Sequence, residues 1–188
     1  KNAQDVRRKL QLPLDKKIIM YTGHLYAWKG VDVIIAVAKL LLPDPSMLFV
    51  LVGGTKKDIE KYREIIEKND LSNVLLCGHK PQGEMPEYLS SADVLLLPNV
   101  PISEESERYT SPIKMFEYMA SKKPIVASDM PSIREILNRE NSILVTAGDI
   151  DGFVRGITKA TQDMILVQSI TRQAFSDVQN FTWEKRAQ

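Results

Sequence analysis

The sequence predicts an α/β protein: a doubly wound parallel sheet of about six strands, with helices on both faces. Three observations predict it. Short apolar runs alternate with amphipathic segments along nearly the whole chain. The runs are continuously apolar, as strands are when helices cover both faces of a sheet. Several of them stop at glycine, which closes a strand and starts a connecting loop.

Each element follows from its residues. "KIIMYTG" is β-branched and aromatic, a buried strand ending at Gly23. "VDVIIAVAKLLL" sets Val33, Ile34, Val37 and Leu41 on one helical face. "MLFVLVGG" is the second strand, and "DIEKYREIIEKND" a helix with an outward charged side. "NVLLCGH" is the third strand, "GEMPEYLSSA" a short helix, and "DVLLLP" the fourth strand. "SPIKMFEYMASK" is a helix, "PIVAS" the fifth strand, "PSIREIL" a short helix, and "NSILV" the sixth strand. Helical stretches near 150–160 and 162–179 complete a Rossmann-like layer structure.

Composition narrows the functional classes. With 188 residues, 44% of them hydrophobic, the chain can bury one good core. Lysine and arginine number 25 against 24 acidic residues, with no basic block, which argues against general nucleic-acid binding. Cys77 is the only cysteine, so disulfides and cysteine-based metal sites are excluded and a cytoplasmic setting is the expectation. The longest apolar run, "VDVIIAVAKLLL", is too short for a membrane span and carries Asp32 and Lys39. The chain opens on "KNAQDVRRKLQLP" without an initiating methionine and closes on "FTWEKRAQ". We therefore expect residues 1–16 to be a linking helical tail, 17–180 the domain, and 181–188 the start of a further helix.

In such sheets ligands bind at the carboxyl ends of the strands, which selects the loops after residues 22, 52, 77 and 97. The first, "GHLYAWKG", offers Gly23 for close backbone approach, the His24 imidazole, and Lys29 just before a helix start. That combination suits a phosphate-rich ligand, and equally an ordinary loop with a solvated lysine. The second, "VGGTKKD", pairs Gly53 and Gly54, which serve either tight turning or ligand approach. The third, "CGHKPQGE", has Gly78 at a strand end with His79 and Lys80 behind it, a backbone against which a planar base can lie.

The fourth loop carries the strongest signal. "VPISEESERYT" is long for a compact domain and feeds Ser111 as N-cap and Pro112 as first helical residue. At 100° per residue, Ile113, Met115, Phe116, Met119 and Ala120 form a buried stripe, with Glu117 and Lys114 on its rim. A lysine in the first turn opposes the helix macrodipole, and Lys before Glu is the weaker order for an intrahelical pair. A bound anion reconciles both. Lys114 and the free amides of residues 112–114 would hold phosphates, and Glu117 would accept two ribose hydroxyls. Without a ligand, the same residues are a surface pair worth about 0.2–0.5 kcal/mol. No Asp-x-Asp pair stands at a strand end, so the expected ligand is a nucleoside diphosphate held with no obligatory metal and no other cofactor.

Taken together, "YTGHLYAWKGVDVII", "LVGG", "NVLLCGHKPQGEMPEYLSSADVLLLP" and "SPIKMFEYMASKKPIVASDMPSIREIL" resemble the donor-binding half of group 1 glycosyltransferases. The similarity runs from about Lys17 to the terminal "TWEKRA", with the motifs in order. It implies one half of a two-domain GT-B enzyme that moves a sugar from a nucleoside-diphosphate donor with retention of configuration, in glycan, lipopolysaccharide or glycolipid synthesis. It also implies residue roles. Lys29 matches a diphosphate-binding lysine, and His24 stands at or beside an arginine position. Lys114 joins them in stabilising the leaving diphosphate, and Glu117 matches a ribose-holding glutamate. Gly23, Gly53, Gly54, Gly78 and His79 would face the donor, as would Tyr109, Thr110, Ser111, Pro112 and Ile113. Tyr109 occupies the place of the family's sugar-contacting glutamate, leaving Glu105 or Glu107 to shift into that role. The acceptor glycan or lipid would be bound by the other half, with any membrane contact made there. The rivals are a nucleotide-sugar epimerase of the same fold and a non-catalytic nucleotide-binding module. Trp28 reads as loop packing, Trp183 as an anchor for the terminal helix, and the methionines as core.

Overall fold

The computed structural model describes residues 2–101 and 113–181. Six strands form one parallel sheet: β1 (Lys17–Thr22), β2 (Met47–Val52), β3 (Val74–Gly78), β4 (Val94–Leu97), β5 (Ile125–Asp129) and β6 (Ile143–Thr146). Their order is β3-β2-β1-β4-β5-β6, so the winding reverses between β1 and β4. The described helices are α1 (Ala3–Lys9), α2 (Val31–Leu40), α3 (Lys56–Lys68), α4 (Met85–Ser91), α5 (Lys114–Ala120), α6 (Pro131–Arg134), α7 (Ile150–Gln162) and α8 (Met164–Val178). The expected architecture is the observed one.

Strand pleating splits the core in two. Along β1, Ile18 and Met20 enter one apolar layer, while Ile19 and Tyr21 enter the other. The first layer is closed by Tyr88 and Leu89 of α4, Met115 and Met119 of α5, Ile133 of α6 and Ala174 of α8. The second is closed by Ile34 and Val37 of α2, Tyr62 of α3, and Phe153 and Ile157 of α7. Both faces are therefore covered, which explains why the strands carry no polar alternation.

The helix that positions the site departs from its expected register. Met115, Tyr118 and Met119 are buried, whereas Ile113 is 67% exposed and Ala120 is exposed as well. The apolar stripe assigned to Ile113, Met115, Phe116, Met119 and Ala120 is thus rotated so that Tyr118 points inward. The cause is a hydrogen bond described below. The expected caps Ser111 and Pro112 lie outside the described residues, and α5 begins at Lys114.

Residues 3–9, expected within a linking tail, are docked against α4. Asn2 caps α1 by accepting from the Gln4 N–H, and Val6 and Leu12 are buried. Arg7 reaches from α1 into the polypeptide beneath β4: it donates to the Ser91 carbonyl at 2.8 Å, the Lys16 carbonyl at 3.1 Å and the Asp93 carboxylate at 2.7 Å. The same Asp93 oxygen accepts from the Ile18 N–H at 2.7 Å, tying α1 to the first residues of β1. Arg7→Ala would strip three acceptors of one guanidinium, so a loss of about 3 kcal/mol is expected. Urea unfolding would show it as a lower midpoint at an unchanged slope.

Candidate functional site

At the switch point β1 outlasts β4. The β1–β4 register covers only Ile19 and Met20, while β1–β2 pairing continues to Thr22. Gly23 donates to the Val52 carbonyl on the β2 side, so Thr22 turns its own N–H and carbonyl toward the empty side. Two side chains one turn apart on α5 satisfy them. The Tyr118 hydroxyl accepts from the Thr22 N–H at 2.9 Å, and Lys114 Nζ donates to the Thr22 carbonyl at 3.0 Å. This pairing sets the rotation of α5, and it brings Glu117 to the same rim.

Above this junction lies a cleft of about 620 Å³ across the carboxyl ends of β1, β2 and β3. Gly23, Gly53 and Gly54 form its floor, with Gly53 donating to the Gly78 carbonyl at 2.8 Å. Gly53 has φ 125°, and a Cβ there would overlap the Gly23 carbonyl oxygen. Only glycine lets the two loops lie this close. Thr55 caps α3 through a reciprocal capping box with Asp58, and so presents Thr55 and Lys56 at one wall. His79, Lys80, Gln82 and Met85 form the wall beyond β3, and His24, Lys114 and Glu117 the opposite one.

The electrostatics of the wall are unusual for lysine. Burial pushes the Lys114 ammonium well below its ordinary range, the nearby Lys29 adds to that, and Glu117 partly opposes it. Burial alone pushes Lys29 down to about 8. Each ammonium rests on an aromatic face: Lys114 lies 3.8 Å from the Tyr21 ring centroid, and Lys29 lies 3.6 Å from that of Trp28. Tyr21 also donates its hydroxyl to the His24 carbonyl at 2.6 Å, so one buried side chain seats a cation and ties down the first loop. The loop closes at Gly30, where φ is 74° and a Cβ would collide with the Pro98 carbonyl.

Of the residues selected from sequence, the fold gathers Gly23, His24, Gly53, Gly54, His79, Lys114 and Glu117 around one cleft. Lys29 stands behind the wall and acts on it through its charge. Gly78 lies under the floor, and Ile113 faces solvent instead of the cleft. Glu105, Glu107, Tyr109, Thr110, Ser111 and Pro112 lie outside the described residues. Lys80, noted behind Gly78 in the sequence, also lines the cleft, whereas sequence reasoning passed over Thr55, Lys56, Gln82 and Met85. Threonine followed three residues later by aspartate was the available signal for the α3 cap. Among the described residues no group of three His, Cys, Asp or Glu side chains is arranged to hold a metal ion, and no helix is long and apolar enough to cross a membrane.

Comparison with known proteins identifies the family and the fold. The family model for glycosyl transferases group 1 matches residues 16–163. A D-inositol 3-phosphate glycosyltransferase of Corynebacterium diphtheriae is 26% identical over 196 residues, spanning 100% of this chain and 44% of that protein. A UDP-Gal:alpha-D-GlcNAc-diphosphoundecaprenol alpha-1,3-galactosyltransferase of Escherichia coli is 24% identical over 172 residues, with 88% and 42% covered. The chain thus spans less than half the length of these relatives. Among solved structures, Anabaena HepE in complex with UDP and glucose superposes with a TM-score of 0.81 at 18% identity, covering 95% of this chain and 47% of that one. The C-terminal domain of a group 1 glycosyl transferase, LpcC of Francisella tularensis, superposes at 0.78 with 19% identity, covering 96% and 92%. The chain belongs to the group 1 glycosyltransferases, and its fold is that of the C-terminal half of a GT-B enzyme.

Proposed function

We propose that the cleft binds a nucleoside-diphosphate sugar and that the complete enzyme transfers the sugar with retention of configuration. The observation that carries this reading is the wall where Lys114 and Glu117 meet a glycine floor at the switch point. Lys114, backed by Lys29 and flanked by His24, would hold the diphosphate and stabilise it as it leaves, the preorganised electrostatic form of catalysis. Glu117 would take the ribose hydroxyls. The base would lie toward His79 and Lys80, across an opening wide enough for a planar ring. The UDP and glucose held by the structurally similar HepE support a donor of this class. No obligatory metal enters the scheme, because the cations are supplied by side chains. The acceptor would be held by the rest of the enzyme, so this chain alone would bind donor without brisk transfer. A cytoplasmic setting, at the inner membrane face for a lipid acceptor, goes with the reading.

Calorimetry with UDP, GDP, ADP and their sugar conjugates tests it. At least one nucleotide should bind, and Lys114→Met, which keeps the stem but removes the charge, should weaken it about 10- to 100-fold, the worth of a charge-assisted hydrogen bond. Glu117→Gln should cost about tenfold through the ribose. Unchanged affinity in both variants would remove the basis of the assignment.

The depressed lysines add a pH signature. Below about pH 8 Lys29 is already charged in the free protein, so nucleotide binding finds it ready. Above that value the free protein has lost the proton, while a bound diphosphate restores it. Affinity should therefore fall as pH rises past 8, by at most about tenfold per pH unit for each titrating group, with proton uptake on binding. Calorimetry in two buffers of different ionisation enthalpy reads the uptake directly. A flat affinity with no proton exchange would exclude Lys29 and Lys114 as phosphate partners.

A further inference from the structure

The wall of the cleft beyond β3 is polar, and the donor scheme gives its side chains no task beyond bordering the base. Three polar side chains of that wall line the cleft: His79, Lys80 and Gln82. They differ in what they can offer a ligand. A neutral imidazole carries one donor and one acceptor, and a carboxamide carries both at one end. Either group turns over to suit whatever faces it. An ammonium only donates. Of the three, Lys80 is therefore the side chain that can discriminate by the direction of a hydrogen bond.

Its setting leaves that capacity unused. Lys80 is half-buried, whereas His79 and Gln82 are exposed. Burial pushes the Cys77 thiol up and the Lys80 charge opposes it, which places the ammonium near the end of β3. Among the described residues Lys80 makes no hydrogen bond or ion pair. Glu117, the one acidic side chain among the described lining residues, stands on the opposite wall. The carbonyl that ends β3, that of Gly78, already accepts from the Gly53 N–H at 2.8 Å.

We infer that Lys80 selects the base: the cleft takes a nucleotide whose base carries an exocyclic oxygen, uracil or guanine, in preference to one with an amino group there, cytosine or adenine. The inference rests on the donor reading above. With the ribose at Glu117, the part of the base that reaches the far wall is the edge remote from the glycosidic bond. That edge bears O4 of uracil or O6 of guanine, both acceptors, where cytosine and adenine bear an NH2 group. An oxo edge pairs with the ammonium. An amino edge sets donor against donor and leaves the Lys80 charge desolvated without a partner. The wrong base is then penalised as well as unrewarded.

Calorimetry on the 188-residue chain tests this with two nearly isosteric pairs, UDP against CDP and inosine diphosphate against ADP. Each pair exchanges an oxo for an amino group on the edge in question. The oxo member of at least one pair should bind about tenfold tighter, the worth of a hydrogen bond to a charged group. Lys80→Met, which keeps the stem but removes the donors, should bring that ratio close to one by weakening the oxo member. Retained binding of the amino member would show that the variant is folded. Lys80→Arg should keep the preference. A lysine that merely attracted phosphate would weaken all four nucleotides alike on replacement and leave the ratio unchanged, and that result would overturn the assignment. So would equal affinities within both pairs, or tighter binding of the amino members. Binding without preference defeats the role of Lys80 alone, whereas absence of nucleotide binding in the unmutated chain defeats the donor site.

Discussion

The site depends on two backbone groups of Thr22. A parallel sheet that reverses its winding must separate two neighbouring strands, and the longer strand then has a peptide N–H and carbonyl without ladder partners. Here the deficit falls on the last residue of β1, and α5 fills it with Tyr118 and Lys114. Leaving either group dry and unpaired would cost about 1–3 kcal/mol. The rotation of α5 is therefore set by hydrogen bonding as much as by its apolar stripe, and the placement of Glu117 is a by-product. The feature that makes a switch point a ligand site, exposed polar backbone at a crevice, is also what fixes the residues that line it.

Holding cations in such a crevice without a ligand is an electrostatic problem. Lys114 and Lys29 repel one another, and burial raises the cost of both charges. The fold answers with soft acceptors: a carbonyl and a tyrosine face for one, an indole face for the other. None of these partners carries a full negative charge, so among the described residues neither ammonium is locked into an ion pair. Glu117 offers the one nearby carboxylate among the described groups that act on Lys114, and its influence is the smallest of the three.

Most of the fold was legible because its signals are local. Continuous apolar runs located all six strands, and the glycines closing β1 and β2 marked the floor of the cleft. Charge placement against the macrodipole singled out Lys114 and Glu117. The face of α5 was misjudged because helical periodicity ranks side chains by apolarity, and Tyr118 is drawn inward by a polar demand of a residue 96 positions away. The docking of α1 was equally hidden: "RRK" reads as a solvated tail, and only the folded chain brings the Ser91 and Lys16 carbonyls and Asp93 around Arg7.

The docking of α1 has a mechanical consequence. Arg7 clamps the chain before and after Leu10–Asp15, and Leu12 is packed in the core, so residues 3–16 travel with the sheet as one rigid body. A pull on Asn2 would therefore be carried by the Arg7 clamp into the starts of β1 and β4, at the opposite end of the sheet from the loop carrying His24 and Lys29.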